Sequence, residues 1–106
     1  MDDKEFQTQA DAAIDDLYQR LVRAVETHDF EVDFNAGALA VEFETPPAKF
    51  IVSPNSPVKQ IWVSAHSKSF KFDWDPARAA FVLGSDTLAE MMANAVSRQL
   101  GEPVKL

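Results

Sequence analysis

Carboxylates are the side chains of this sequence that could most readily do chemistry. Those that pattern alone brings forward are Asp11 and Asp15, with Asp16 beside them, Glu26 and Asp29 ahead of the first predicted strand, and Glu31, Asp33, Glu42 and Glu44 on the outer face of the first predicted hairpin. Asp11 and Asp15 would share one face of a helix, and Glu31 and Asp33 one face of a strand. Oxygen ligands of this kind suit hard or borderline cations. We expect weak binding, because nothing encloses the ion. A hydrated charged face without a ligand is the alternative.

Groups suited to covalent or acid–base catalysis are few. The chain has no Cys, which excludes disulfides, thiolate metal sites and a Cys nucleophile. His28 and His66 lie far apart in sequence, in or beside predicted loops, and most such residues are ordinary surface residues. HExxH, GxSxG and a glycine-rich phosphate loop do not occur. We therefore expect a binding protein and not an enzyme.

The charge of the chain is strongly uneven along its length. Net charge is −7: residues 1–45 carry 12 acids and 3 bases, and residues 46–106 carry 5 acids and 7 bases. Nucleic-acid binding needs clustered Lys and Arg, which the acidic half opposes. The same half favours cations or a basic protein surface, although acidity can also serve solubility alone.

Length and hydropathy indicate one domain, residues 1–106. The apolar runs are only a few residues long, so we expect no membrane span. Met1–Glu5 is acidic and lacks both the apolar region of a secretory signal and the Arg-rich character of a transit peptide. We expect a bacterial-type cytoplasmic protein.

The spacing of apolar residues predicts a helix at each end and strands between them. Phe6 to Val25 has helical spacing, can be capped by Asp2 or Asp3, and should end near residues 26–28. Six runs are predicted as strands: 30–34, 39–43, 49–52, 59–65, 69–74 and 80–83. Thr87-Leu88-Ala89-Glu90 matches a capping box that begins the second helix, and Gly101 suits its end. Val104 and Leu106 can cover an apolar groove.

Short loops between the strands require antiparallel pairing, since parallel pairs need long crossovers. Each helix has one apolar stripe and must bury it on the sheet. We therefore predict an α+β fold: a two-layer α/β sandwich with both helices on one face of a five- to six-stranded, mainly antiparallel sheet.

Trp62 is predicted to lie on the uncovered face of that sheet. Ile61, Val63 and Ala65 alternate with Gln60, Trp62 and Ser64, and the aliphatic set should face the core. An exposed Trp beside Gln and Ser is typical of a protein-contact anchor. Packing of Trp62 under a neighbouring long side chain, with no further role, is the alternative. Trp74 continues Phe70 and Phe72, so we expect it on the core side.

Four stretches, in order, resemble the frataxin family in its bacterial, CyaY-type branch. Pro57–Ser64 is similar to the family's Gln-Ile/Val-Trp-Leu-Ala/Ser strand, and Lys71–Trp74 resembles the strand that follows. Asn35–Leu39 resembles the first hairpin, and Ser85–Leu100 resembles the closing helix. Together they span nearly the whole chain.

The resemblance implies an accessory role in iron–sulfur cluster assembly. Family members bind iron (Fe2+ or Fe3+) weakly through an acidic ridge, and they bind and regulate the cysteine desulfurase with its iron–sulfur scaffold protein. By position, the ridge acids of this chain are Asp11, Asp15, Glu26, Asp29, Glu31 and Asp33. The matching partner contacts are Asn55, Lys59, Gln60, Trp62 and Lys71.

The second half of the first helix departs from the family pattern. Arg20 and Arg23 stand where the family continues its acids, and they would repel a divalent cation. Partner binding is therefore the stronger expectation. An iron carrier or store delivering Fe(II) through the ridge is the alternative. An enzyme that oxidises Fe(II) is a third hypothesis, which the lack of His ligands opposes.

Overall fold

The first helix, α1, spans Asp3–Val25 in the computed structural model, which describes residues 1–106. Asp2 caps it by accepting a hydrogen bond from the backbone N–H of Glu5 at 2.8 Å. Its buried stripe follows the predicted spacing: Phe6, Ala10, Ile14, Leu17, Leu21 and Ala24. The sequence therefore predicted both the capping residue and the buried face.

Seven consecutive antiparallel strands form one sheet, in the order in which they occur in the chain. They are β1 (Glu31–Asn35), β2 (Ala38–Glu44), β3 (Pro47–Asn55), β4 (Gln60–Ala65), β5 (Lys68–Asp75), β6 (Ala80–Leu83) and β7 (Asp86–Thr87). A two-residue turn joins β1 to β2, and Gly37 takes the positive φ of 80° that such a turn requires. The predicted antiparallel pairing is confirmed.

The strand boundaries differ from the prediction in two places. Strand β3 spans Pro47–Asn55, whereas the predicted third strand covered only residues 49–52 and left out both Pro47 and Pro54. The pairing of β3 with β2 ends at Val52, before Pro54 is reached. The missing backbone N–H of Pro54 therefore removes no hydrogen bond to β2. The prediction also lacked β7, because two residues are too short to show a periodic pattern.

The core lies between the sheet and the two helices, as predicted. It contains 23 buried residues in a single cluster, and none of them is polar or charged. Aromatic rings cross it in a row, with centroids 5.7 Å apart for Phe30 and Phe43 and 4.9 Å apart for Phe43 and Phe50. Trp74 is half-buried, and its ring centroid lies 5.1 Å from that of Phe81. Trp74 is therefore on the core side, as predicted.

The second helix, α2, spans Leu88–Leu100 and begins with the predicted capping box. The Thr87 hydroxyl accepts from the N–H of Glu90 at 3.3 Å, and the Glu90 carboxylate accepts from the N–H of Thr87 at 3.1 Å. Hydrogen bonding of the Glu90 carboxylate to Thr87, first to its backbone N–H, together with the nearby charge of Arg78, lowers the pKa of Glu90. Gly101 ends the helix in the left-handed conformation, as its position predicts.

Thr87→Ala should lower the free energy of unfolding by about 1 kcal/mol at neutral pH, because the first N–H groups of α2 lose their side-chain acceptor. The Glu90 carboxylate has a depressed pKa in the folded state, so its contribution is present above its ordinary pKa and is lost as the pH falls through the folded value. The difference between the variant and the parent should therefore shrink in acid. Urea unfolding from neutral to acidic pH measures this, with Thr87→Ser as the control. A loss that did not change with pH would contradict the proposed role of the Glu90 charge.

The C-terminal tail returns across the helix layer and is anchored at Val104. Val104 is buried, and its N–H donates to the Ser97 hydroxyl at 2.8 Å. Leu106 packs against the core, so both predicted tail contacts are confirmed. No helix of the structure has the length and hydropathy needed to span a membrane.

Candidate partner-binding surface

The face of the sheet opposite the helices is uncovered, and Trp62 lies near its middle. This open face carries Gln60, Trp62 and Ser64 of β4, while Ile61, Val63 and Ala65 are buried beneath them. The side chain of Trp62 keeps 37% of its accessible area. The predicted alternation of β4 is confirmed, and a large aromatic residue is displayed to solvent.

Contacts across two strands fix the orientation of the Trp62 indole. Its Nε1–H donates to the Oε1 of Gln60 at 2.9 Å, and the Nε2 of Gln60 donates to the Oδ1 of Asp73 at 3.0 Å. Lys71 pairs with Trp62 across β4 and β5, and its ammonium lies 5.0 Å from the centroid of the ring. Since cation–π attraction acts over this distance, Lys71 covers the ring without burying it.

Asp73 belongs to this surface although its residue type alone did not indicate a role. The register of β4 with β5 places Asp73 directly opposite Gln60. Cross-strand neighbours on one face lie about 5 Å apart, which lets the carboxylate orient the Gln60 amide. Only the pairing register reveals this contact, because 13 residues separate the two in sequence.

The other two predicted partner contacts have different positions. Asn55 pairs with Gln60 across β3 and β4, so it lies beside the Trp62 network. Lys59 has a left-handed backbone, with φ of 53°, and its ammonium forms an ion pair with Asp3 of α1 at 3.1 Å. Its charge is therefore directed toward the helix layer and away from Trp62.

The ridge acids are spread over α1, the following turn and β1. All six side chains are exposed: Asp11, Asp15, Glu26, Asp29, Glu31 and Asp33. The Nε2 of Gln7 donates to Asp11 at 2.7 Å. No three of the chain's Asp, Glu or His residues come together in a group that could hold a metal ion. A cation on this surface would therefore meet one or two carboxylates at a time.

Four carboxylates surround a shallow depression of about 580 Å³ at the end of the first hairpin: Asp29, Glu31, Glu42 and Glu44. Glu31 and Glu42 are directly opposite each other on β1 and β2, which brings like charges together. Lys49 offsets part of this repulsion, with its ammonium 3.5 Å from Glu42. Alternation predicts Glu31, Glu42 and Glu44 on the outer face of the hairpin, and all three side chains are exposed.

The arginines of α1 partly compensate the neighbouring acids. The Nε of Arg20 donates to Asp16 at 2.8 Å, while Arg23 forms no ion pair. Asp15, Asp16 and Glu26 are the acids nearest to these arginines along the chain, and Asp16 is the one that forms an ion pair. Asp15 and Glu26 remain without an ion-pair partner.

The two histidines have different contacts, and neither belongs to a group of side chains that could hold a metal ion. His28 follows α1, and its Nδ1 contacts the carboxylate of Glu102 at 2.5 Å. His66 lies in the turn between β4 and β5, where its Nε2 is buried without a hydrogen-bond partner and its ring contacts Phe50. His66 is thus more buried than its predicted loop position indicated.

Comparison with known proteins establishes the family. A model of the frataxin-like domain matches residues 1–102. This chain belongs to the frataxin family. The resemblance carried by the β4 strand and the closing helix is confirmed, and the frataxin-like two-layer fold agrees with it.

Relatives of this frataxin-like chain match it over most or all of its length. The iron-sulfur cluster assembly protein CyaY of Azotobacter vinelandii is 35% identical over 96 residues, covering 87% of this chain and 86% of that protein. The protein of the same name from Dechloromonas aromatica is 35% identical over 109 residues, covering 100% and 99%. The solved structure of the frataxin from Psychromonas ingrahamii superimposes with a TM-score of 0.75 at 25% identity, covering 99% of this chain and 97% of that one.

Proposed function

We propose that this chain is an accessory protein of iron–sulfur cluster assembly that docks on a cysteine desulfurase and its scaffold protein through the open face around Trp62. The observation that carries the proposal is a Trp exposed on an uncovered sheet face, with its ring oriented by Gln60 and Lys71. Relatives that match the whole chain are named for iron–sulfur cluster assembly, which supports the same pathway.

The geometry suits an interface anchor because the Trp62 side chain is already held in one orientation before a partner binds. Aromatic anchors contribute most when their conformation is fixed before the partner arrives, since fewer rotamers are then lost. The hydrogen bond from Trp62 to Gln60, with the Gln60–Asp73 bond behind it, restricts the indole in the free protein. A partner pocket that receives the ring would exclude water from it and leave Lys71 and Asp73 at the rim.

Charge should act mainly on the rate of encounter. Residues 1–45 carry an excess of nine acids over bases, and the four hairpin carboxylates lie at one end of the sheet. A basic partner surface would be attracted to this end over roughly a Debye length, about 8–10 Å at physiological salt. The association rate should therefore fall as salt rises, while the dissociation rate should depend on Trp62.

An amide-resolved NMR titration of the labelled chain with a cysteine desulfurase tests this proposal. We expect saturable changes centred on Trp62 and the first hairpin, at moderate salt. The control is a basic protein with no role in cluster assembly, which should produce only small changes confined to the acidic half. Equal responses to both proteins would reduce the interaction to general electrostatic attraction and remove the proposal.

We propose in addition that the ridge acids bind iron weakly as a cargo ion. Exposed carboxylate oxygens suit ferrous and ferric ions, and Asp29 and Glu31 adjoin the depression where Glu42 and Glu44 add further oxygens. Because no three acids form one site, each ion would keep most of its water. An iron carrier or store remains the alternative function, and it depends on this surface alone.

The triple variant Asp29→Asn, Glu31→Gln and Asp33→Asn should weaken Fe(II) binding about tenfold or more, because it removes three adjacent negative charges. Anaerobic NMR line broadening of amides between residues 11 and 33 measures the binding. The matched control, Glu5→Gln with Asp75→Asn and Asp86→Asn, removes the same charge elsewhere. Unchanged iron affinity in the first variant would reject iron binding at these acids. If the first variant lost iron binding and still bound the desulfurase, the iron proposal and the docking proposal would be shown to be independent.

A further inference from the structure

A basic depression of about 270 Å³ lies between the end of α1 and the C-terminal tail. It is lined by Arg20, Arg23, Ala24, Thr27, His28, Lys105 and Leu106. Its polar lining consists of two arginines, a lysine, a threonine and a histidine, and no lining residue is acidic. In a chain of net charge −7, this is a local reversal of sign.

Much of this positive charge is uncompensated. Arg23 and Lys105 form no ion pair, and Arg20 uses only its Nε toward Asp16, which leaves both Nη groups without a carboxylate. The other acid that contacts a lining residue is Glu102, and it is directed at His28. The C-terminal end of α1 adds about −0.5 charge, which offsets only part of three cations.

The structure also orders the groups that surround the depression. Lys105 lies between Val104, which is buried and bonded to Ser97, and Leu106, which packs on the core. The contact between His28 and Glu102 ties the tail to the end of α1 across 74 residues of sequence. The anchored backbone of the tail thus holds Lys105 beside Arg20 and Arg23.

Compensation of the helix dipole does not account for this arrangement. One cation in the last turn of α1 would suffice for that role, and Arg23 supplies it. Lys105 comes from the opposite end of the chain and adds charge where two arginines already repel each other. Convergent cations with a hydroxyl donor and no acidic lining residue are the features of a site for a multiply charged oxyanion.

We propose that the basic depression binds a phosphate group, as free phosphate or as a phosphate monoester. The guanidinium groups of Arg20 and Arg23 supply forked N–H donors that match phosphate oxygens, and Lys105 adds a point charge. The Thr27 hydroxyl donates only weakly to the Ala24 carbonyl, at 3.5 Å, and can turn from that bond toward a phosphate oxygen. This site is on the helix side of the molecule, so it is separate from the open face around Trp62.

Titration of the chain with inorganic phosphate, followed by amide NMR at low ionic strength, tests the proposal. We expect saturable shifts confined to residues 20–28 and 104–106, and no such shifts with sodium chloride at matched ionic strength. Arg23→Gln with Lys105→Gln should weaken binding about tenfold. The matched control, Lys4→Gln with Lys68→Gln, removes the same charge elsewhere and should leave phosphate binding unchanged.

A second titration with glycerol phosphate distinguishes the two sources of the ligand. Tighter binding of the ester would identify a phosphate monoester as the ligand, and tighter binding of inorganic phosphate would identify the free anion. Shifts that do not saturate, that chloride reproduces, or that both double variants reduce equally would overturn the proposal.

Discussion

Trp62→Ala should weaken binding of this chain to a cysteine desulfurase about 30-fold or more and leave the domain folded. Central aromatic anchors typically contribute 2 kcal/mol or more to an interface, which corresponds to about this factor. The ring is outside the buried cluster, so its removal costs only surface contacts: the bond to Gln60, the contact with Lys71 and the strand propensity of Trp. Together these losses are expected to lower stability by about 1–2 kcal/mol.

Two further variants make this result specific. Leu83→Ala is the matched control, because Leu83 is an exposed apolar residue of similar exposure, 39%, on the helix side of β6. It should bind the desulfurase normally. Trp62→Phe keeps an aromatic ring and loses the Nε1–H, so it should recover most of the affinity if the anchor acts through its apolar surface. Isothermal titration calorimetry and thermal unfolding of each variant supply the two measurements.

The result would contradict the proposal in either of two ways. Normal desulfurase binding by a folded Trp62→Ala variant would place the interface elsewhere on the molecule. A loss of stability as large as that of a core variant would mean that Trp62 supports the fold and that its exposure has been misinterpreted.

Phe50→Ala should lower the free energy of unfolding by about 3–5 kcal/mol, the largest stability effect that we expect from one substitution. Phe50 is fully buried on β3 and lies in the row of aromatic rings. Its ring centroid is 4.9 Å from that of Phe43 and 5.0 Å from that of His66. Its removal leaves a cavity and breaks both ring contacts. Since small domains are stable by about 5–15 kcal/mol, the variant would lie close to its unfolding limit.

Phe34→Ala is the control for this prediction, because it deletes the same atoms at an exposed position. Phe34 keeps 40% of its area, on the edge strand β1, and contacts Tyr18 at 5.6 Å. We expect about 1 kcal/mol of destabilisation there. Urea unfolding followed by circular dichroism compares the two variants. Similar losses would show that the buried cluster does not dominate stability. Phe50→Leu removes fewer atoms than Phe50→Ala, so it should lose less stability if volume is what matters.

The sequence predicted the fold well because local periodicity and global packing agree in this chain. Alternation in β4 assigned Ile61 to the core and Trp62 to the open face, and each assignment agrees with the burial. The capping box and Gly101 located α2 almost to the residue. Strand β7 was missed, since its pairing with β6 comes from its position in the fold and leaves no pattern in two residues.

The candidate site was predicted less completely, because its contacts depend on register and on chain crossings. Nothing near Gln60 in sequence indicates Asp73, and nothing near Arg23 indicates Lys105. The ion pair of Lys59 with Asp3 depends on a left-handed backbone at Lys59, a conformation that its residue type does not favour. Residue types therefore indicated which surfaces carry the acids and the exposed Trp, and the three-dimensional structure showed which side chains lie together on them.

The strictly sequential order of the sheet bears on how the chain folds. Every strand pairs only with its neighbours in sequence, so each hairpin can close over a short loop and at a small entropy cost. The distant contacts, such as Phe6 with Phe81, join α1 to the far end of the sheet. Contacts of such short range in sequence predict faster folding than in most β proteins. We expect the docking of α1 against the far strands to be the slow step.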